Sequence, residues 1–402
     1  MNETLAPIAT LPTLDFNDVA VAFESKSDKQ LAERYLLFRA MNNPTLTKLG
    51  TSLLAWAIRR RLPIKGLVKA TIFKQFCGGE TIEECLPVVA ELGKANVKSI
   101  LDYSVEGEGN EASFDSVVEK TLQAIELSKR EKLISFAVFK MTGIARFGLL
   151  EKVSAAQTLS SGEVAEWARV KARLRKICDA ALEADLPVMI DAEESWIQAA
   201  IDSLADEMME RYNKHKPLVY NTIQLYRKDR LAFLKASFAK AEKGGYYLGA
   251  KLVRGAYMEK ERERAAMMGY PSPIHDAKEA TDRDFNLAIE FCVERIDRIG
   301  ICAGTHNEES SLKLARLVAE KGLPLNHPRV HFSQLYGMGD HISYNLAKAG
   351  FNVAKYVPYG EVKFVLPYLI RRAQENTAVA GYASRELRLL IAERQRRKAT
   401  KR

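Results

Sequence analysis

A chain of 402 residues with 47% hydrophobic and 28% charged side chains has the make-up of a folded globular protein, which excludes disordered, collagen-like and disulfide-scaffold classes. The net charge of +9 is concentrated at one end, because residues 385–402 hold eight Lys or Arg against Glu386 and Glu393. The basic surface that nucleic-acid binding needs is therefore not expected over the rest of the chain, and nucleic acid is not an expected partner.

Along the chain, no Lys or Arg precedes Lys26, while Glu3, Asp15 and Asp18 are acidic. Neither a secretory signal nor a transit peptide fits that pattern. No apolar run approaches the ~18 residues of a membrane span, so a cytoplasmic protein is expected. Residues 1–95 read as a helical arm, with apolar positions three and four apart over 31–41, 46–60 and 64–77. Pro44, Pro63 and Gly78-Gly79 punctuate these segments.

From residue 97 the pattern changes to short β-branched runs alternating with amphipathic stretches such as 113–131 and 282–297. Eight such runs occur, at 97–106, 133–142, 187–194, 218–227, 247–257, 298–307, 329–338 and 352–361. Eight strand–helix units predict an α/β fold, a (βα)8 TIM-like barrel over 96–382 with an N-terminal helical arm. No G-x-G-x-x-G supports an open dinucleotide-binding sheet instead. The remaining 383–402 form a basic tail. Leu387, Leu390 and Ile391 share a helical face there, which suits either a solvated end or a helix lying on an anionic membrane.

Nearly every predicted strand ends in a polar residue: Glu106, Lys140, Asp191 with Glu193, Gln224, Arg254, His306 with Asn307, Gln334 and Tyr356. In a barrel these ends converge on one face, where active sites are built. Lys140 and Asp191, on neighbouring strand tips, are placed to form an ion pair. After the last strand, Tyr368, Arg371 and Glu375 share a helical face, and Arg371-Arg372 offer two planar forks suited to a carboxylate. A carboxylate opposite two arginines would complement a zwitterion such as an amino acid. The cysteines (Cys77, Cys85, Cys178, Cys292, Cys302) are odd in number and have no C-x-x-C spacing, and no H-E-x-x-H occurs. Neither a disulfide framework nor a metal site is expected, and a reducing compartment is.

The segments Lys251-Leu-Val-Arg-Gly-Ala-Tyr257, Thr305-His-Asn307, Gln334-Leu-Tyr-Gly-Met-Gly339, Tyr356-Val-Pro-Tyr-Gly360 and Pro367-Tyr-Leu-Ile-Arg-Arg372 with Glu375-Asn376 resemble proline dehydrogenase, in order and spacing, over roughly 97–382. The style is closer to the single-function and mitochondrial branch than to the bifunctional bacterial proteins. The resemblance implies an FAD-dependent barrel that oxidises L-proline to Δ1-pyrroline-5-carboxylate and passes electrons to a membrane quinone. Peripheral contact with an inner membrane through the tail would follow.

The resemblance also implies residue roles. Arg371 and Arg372 would hold the substrate carboxylate, Tyr356, Tyr368 and Leu335 would wall its ring, and Lys140 and Asp191 would lie beside it. Tyr257 would pack near flavin and substrate, so that Lys140, Asp191, Tyr257 and Tyr356 form the expected catalytic set. Gln224, Lys251, Val253, Gly255, Tyr257, Lys278, Thr281, His306, Asn307 and Glu375 would surround the flavin, with Lys278 and His306 as partners for its pyrophosphate. Two departures stand out. Lys251 replaces an arginine of many bacterial relatives and lacks its fork, so a hydrogen bond to the flavin that is absent or differently directed is expected; Met258 stands where some relatives place a tryptophan. The rivals are hydroxyproline dehydrogenase, which the bulk of Tyr356 near the ring disfavours, and a non-catalytic basic barrel binding membrane or nucleic acid through its tail.

Overall fold

The computed structural model describes residues 14–43, 45–50, 53, 60, 64–104, 109–378 and 382–401, without the side chains of 373–378 and 382–384. All eight predicted runs form strands: β1 Val97–Tyr103, β2 Ile134–Lys140, β3 Val188–Asp191, β4 Val219–Gln224, β5 Leu248–Val253, β6 Ile299–Gly304, β7 Val330–Leu335 and β8 Val353–Tyr359. Each pairs in parallel with the next, and β8 closes on β1. Helices cover the outer face of the sheet, with Ile82–Lys94 and Asp340–Lys348 packed on β8 in place of the helix that follows it, which is why the runs are rich in Val, Ile, Leu and Ala rather than alternating with charge.

Side chains alternate across each strand, so one phase fills the barrel. Phe136, Tyr220 and His331 meet edge-to-face at its floor. Ile100, Val138, Met189, Cys302 and Ala354 pack with them as an interior cluster that also includes Tyr356. Continuing the same phase upward brings Asp102, Lys140, Asp191, Gln224, Lys251, Leu335 and Tyr356 to the strand C-termini. The interior phase thus gathers a dense group of polar and charged side chains at the strand C-termini.

The predicted helices at 31–41 and 64–77 are observed as Asp28–Met41 and as a helical segment over 65–76 that contains a π turn. Much of the predicted 46–60 helix lies outside the described residues. The chain's two ends build a second core. Leu31, Phe38 and Met41 pack with Val68, Phe73 and Phe76, with Val365, Leu366 and Leu369 of the helix Val362–Ala378, and with Leu389 and Leu390 of the helix Tyr382–Thr400. Full burial of each leucine in this cluster is worth roughly 2–3 kcal/mol.

The tail is accordingly a docked helix, and its apolar stripe faces the chain's own N-terminal helix, with only Ile391 left 37% exposed. Its charge is also partly answered from within. Glu393 is fully buried and accepts from Arg396 at 2.7 Å and Arg397 at 2.6 Å, and Arg397 reaches the Lys26 carbonyl at 2.7 Å and Asp28 at 2.9 Å.

Candidate active site at the barrel mouth

Lys140 and Asp191 are direct register partners at the tips of β2 and β3, so their side chains leave the sheet on the same side. Asp191 is the centre of the cluster. Its Oδ1 accepts from Lys251 Nζ at 2.6 Å, and its Oδ2 accepts from the Tyr356 hydroxyl at 2.7 Å and from Lys140 Nζ at 3.4 Å. Three strands besides its own therefore converge on one carboxylate. Lys251 also stands over the Tyr356 ring, 4.7 Å from its centroid. Leu335 sits beside Tyr356, its register partner on β8.

A second acid, Asp102, closes the group from β1. It is 2% exposed, its Oδ2 lies 3.6 Å from Lys140 Nζ, and it accepts from the Ser104 hydroxyl. Burial works against each of these charges, and the neighbours decide the outcome. Burial raises Asp191, but Lys251 and Lys140 outweigh it and hold the carboxyl well below its usual range. Burial lowers Lys140, but Asp102 and Asp191 outweigh it and hold the ammonium protonated. Burial and then the two carboxylates push the Tyr356 phenol well up, so it stays a donor.

Around this centre the other expected residues take differing places. Tyr257 follows β5 and is held in its phenol form by burial and by the nearby Glu193 carboxyl. The Arg371 charge is felt by Tyr257 and the Arg372 charge by His306. Arg372 is 7% exposed and stacks 5.1 Å from the centroid of Tyr368. His306 is driven down to about 3 by burial and by Lys355 and Arg372, so it is a neutral ring, and its Nε2 accepts from the Leu335 N–H at 3.2 Å. Asn307 caps the helix Glu308–Glu320 by accepting from Ser310 N–H at 2.8 Å.

The remaining positions form a rim beyond β4 and β5. Gln224 is 2% exposed, and its side-chain carbonyl oxygen has no hydrogen-bond partner among the described residues. Such a group costs ~1–3 kcal/mol unless a bound molecule satisfies it. Val253 is its register partner. Gly255 takes φ +136°, and a Cβ there would lie 2.4 Å from the Tyr226 ring, so only glycine fits. Lys278 and Thr281 open the helix Lys278–Glu294, whose N-cap, Ala277, has no side chain to satisfy the first N–H groups. That helix start, with Lys278 ion-paired to Asp282 at its edge, suits a phosphate. A buried unsatisfied acceptor, a close-approach glycine and an uncapped helix start together fit a dinucleotide such as FAD. Glu375 lies on the helix Val362–Ala378, but its side chain is outside the described residues, as is all of Glu106.

Two strand-end residues prove structural. Arg254 turns away to Asp282, Thr305 and Ser310, and Gln334 binds the Thr305 carbonyl and the Ser343 hydroxyl beneath a helix. The first predicted run ends at Glu106, but the strand stops at Tyr103 and Asp102 supplies the acid. Ile100 faces the barrel interior, so the period of two already assigns Asp102 to that face. The Lys251 ammonium points at Asp191.

A family model described as proline dehydrogenase matches residues 85–385. The carbapenem antibiotics biosynthesis protein CarD of Pectobacterium carotovorum is 35% identical over 366 residues, which cover 90% of this chain and 95% of that one. Proline dehydrogenase 1, mitochondrial, of Arabidopsis thaliana is 31% identical over 431 residues, covering 96% of this chain and 86% of that one. Among solved structures, proline utilization A (PutA) from Bdellovibrio bacteriovorus superposes on 90% of this chain with a TM-score of 0.68 at 22% identity. That likeness bears on the fold, and this chain spans 38% of that longer protein. The parallel barrel, the residues gathered at its mouth and the extent of the family match agree: the chain belongs to the proline dehydrogenase family.

Proposed function

We propose that this protein oxidises L-proline to Δ1-pyrroline-5-carboxylate with FAD as cofactor and a quinone as final acceptor. The observation that carries the reading is the buried Asp191 holding Lys140, Lys251 and Tyr356 at the mouth. FAD, when bound, supplies the two-electron acceptor for the hydride that leaves the ring carbon next to nitrogen. Gln224, Lys251, Val253, Gly255, Tyr257, Lys278, Thr281, His306, Asn307 and Glu375 are the residues proposed to hold it. Met258, 43% exposed, would offer a thioether rather than an indole face there.

The chain's own groups have three tasks. Arg371 and Arg372 bind the substrate carboxylate, since two guanidinium forks match its oxygens. Tyr356, Tyr368 and Leu335 wall the ring and fix the reacting carbon, which is how orientation lowers the barrier. The substrate nitrogen must lose a proton before its lone pair can form the C=N bond. Asp191 is too weak a base for that, because its cations hold it ionised, and the neutral His306 is already an acceptor for the Leu335 N–H. The proton therefore leaves to water at the open side of the mouth.

The helices before residue 96 and after 382 are proposed as a brace on the barrel rather than separate units. Electron delivery to a quinone requires an encounter with a membrane surface; among the described residues no helix is long and apolar enough to cross one. The direct test is turnover of L-proline and of 4-hydroxy-L-proline by the flavin-loaded protein with a soluble quinone analogue. Pyrroline product from proline, in excess over hydroxyproline, is expected. Equal or reversed rates would move the substrate, and no product from either would sink the reading.

A further inference from the structure

Just beyond the Lys140–Asp191 pair, a second contact joins the same two strand tips. After Lys140 the chain makes a single 3-10 turn, Met141–Gly143, in which Met141 is fully buried. The Thr142 N–H donates to Glu193 Oε1 at 3.0 Å and the Thr142 hydroxyl donates to Glu193 Oε2. Both oxygens of one carboxyl group are thus spent on one residue. Glu193 is itself 3% exposed and anchored from behind: its N–H donates to Gln198 at 2.9 Å, Gln198 donates to Asp202 at 2.9 Å, and Asp202 pairs with Arg230 at 2.8 Å.

The proline-oxidising function proposed above leaves this carboxyl group unused. We propose that Glu193 is a positioning residue that clamps Thr142, fixes Lys140 against Asp191, and by gaining or losing its own proton sets how strongly the pocket holds the substrate carboxylate. This inference rests on that function and adds a control to the same site.

The charges that face Glu193 make such control workable. From β2 it faces Lys140, with Asp102 and Asp191 behind it; from the turn after β5 it faces Tyr257, which in turn feels Arg371; its neighbour Glu194 is ion-paired to Lys260. Burial raises the Glu193 carboxyl to about 7, against the lowering effect of Thr142 and Lys140. Around neutrality the pocket therefore gains a negative charge as pH rises, next to the cations that attract the substrate. A group raised in this way favours the folded state below its ordinary value of 4.5, and that advantage fades as pH rises towards 7.

The test uses the intact flavin-loaded protein and a proline analogue with ring oxygen in place of nitrogen, which keeps the carboxylate and has no amine to titrate. The Kd of this analogue should rise at least threefold between pH 6 and 8.5 in the wild type, about 0.65 kcal/mol, and stay flat in Glu193→Gln. The amide of that variant can keep both contacts to Thr142 but cannot ionise. Thr142→Val, which deletes one donor to the carboxylate, should move the transition to higher pH, and Thr142→Ser should restore it. Infrared difference spectra should show a protonated carboxyl band that titrates in the same range and is missing from Glu193→Gln. A wild-type Kd independent of pH, or a transition that survives in Glu193→Gln, overturns the proposal. A wild type that shows the titrating band yet turns over no proline would overturn the proposed substrate instead.

Discussion

Replacing Asp191 with Asn tests the electrostatic heart of the mouth. Asp191 is 8% exposed and touches two ammonium groups and a phenol, at 2.6, 3.4 and 2.7 Å. Removing one partner of a buried ion pair costs about 3–5 kcal/mol, because the other charge is left uncompensated. Two features pull the expected loss to the low end, about 3 kcal/mol. Lys140 keeps Asp102 at 3.6 Å, and the asparagine carbonyl still accepts from Tyr356. Lys251 is the group left stranded, keeping the Tyr356 ring at 4.7 Å beneath it. Asp191→Asn/Lys251→Met should therefore recover 1–3 kcal/mol relative to additivity, of the order of coupling seen between contacting residues. The assay is urea unfolding followed by circular dichroism at one fixed FAD concentration, since bound cofactor shifts apparent stability. The pH dependence has a definite sign. Asp191 is held below its ordinary value of 3.8, so the difference between wild type and Asp191→Asn is full above that pH and narrows as pH falls towards the folded value. A single variant within about 0.5 kcal/mol of wild type, with an additive double variant, would refute the reasoning.

Arg371→Ala should raise KM for L-proline about tenfold to a hundredfold, the worth of a charge-assisted carboxylate contact of about 1.5–3 kcal/mol, with little change in urea midpoint; an unchanged KM with lost stability would make Arg371 a structural ion. Gln224→Leu should weaken FAD binding about fivefold, by loss of a hydrogen bond worth about 1 kcal/mol, read as recovery of flavin fluorescence on dilution, and unaltered affinity would leave the buried carbonyl unexplained by the cofactor. Leu390→Ala, in the second core at 1% exposure, should cost about 2–5 kcal/mol without altering binding to anionic vesicles. The reverse pattern, stable protein with weakened vesicle binding, would return the tail to the membrane.

The barrel was legible because a parallel strand buried on both sides must be a short apolar run, and eight such runs alternate with amphipathic stretches. Strand ends were less so, since an apolar run carries no mark where the loop takes over. The run up to Glu106 therefore reads as strand although β1 ends at Tyr103, with Asp102 carrying the acid. Arg254 and Gln334 also end predicted strands, but their side chains turn to neighbouring elements, because a polar residue at a strand end points inward only when its phase matches the interior. Lys140 and Asp191 were readable as neighbours because adjacent strands bring adjacent tips together. The Lys251–Asp191 contact spans the barrel from β5 to β3, and no local pattern announces it. The tail's apolar stripe was equally visible, but its partner, the helix Asp28–Met41, lies at the other end of the chain, where only the folded packing connects them.

The central claim is that this mouth oxidises proline on a bound flavin, and the visible spectrum of the purified protein under anaerobic addition of L-proline tests it most directly. A yellow flavin spectrum that bleaches with L-proline is the expected result. A yellow protein whose spectrum L-proline leaves unchanged would contradict the substrate, and a colourless one that added FAD cannot restore would contradict the enzyme.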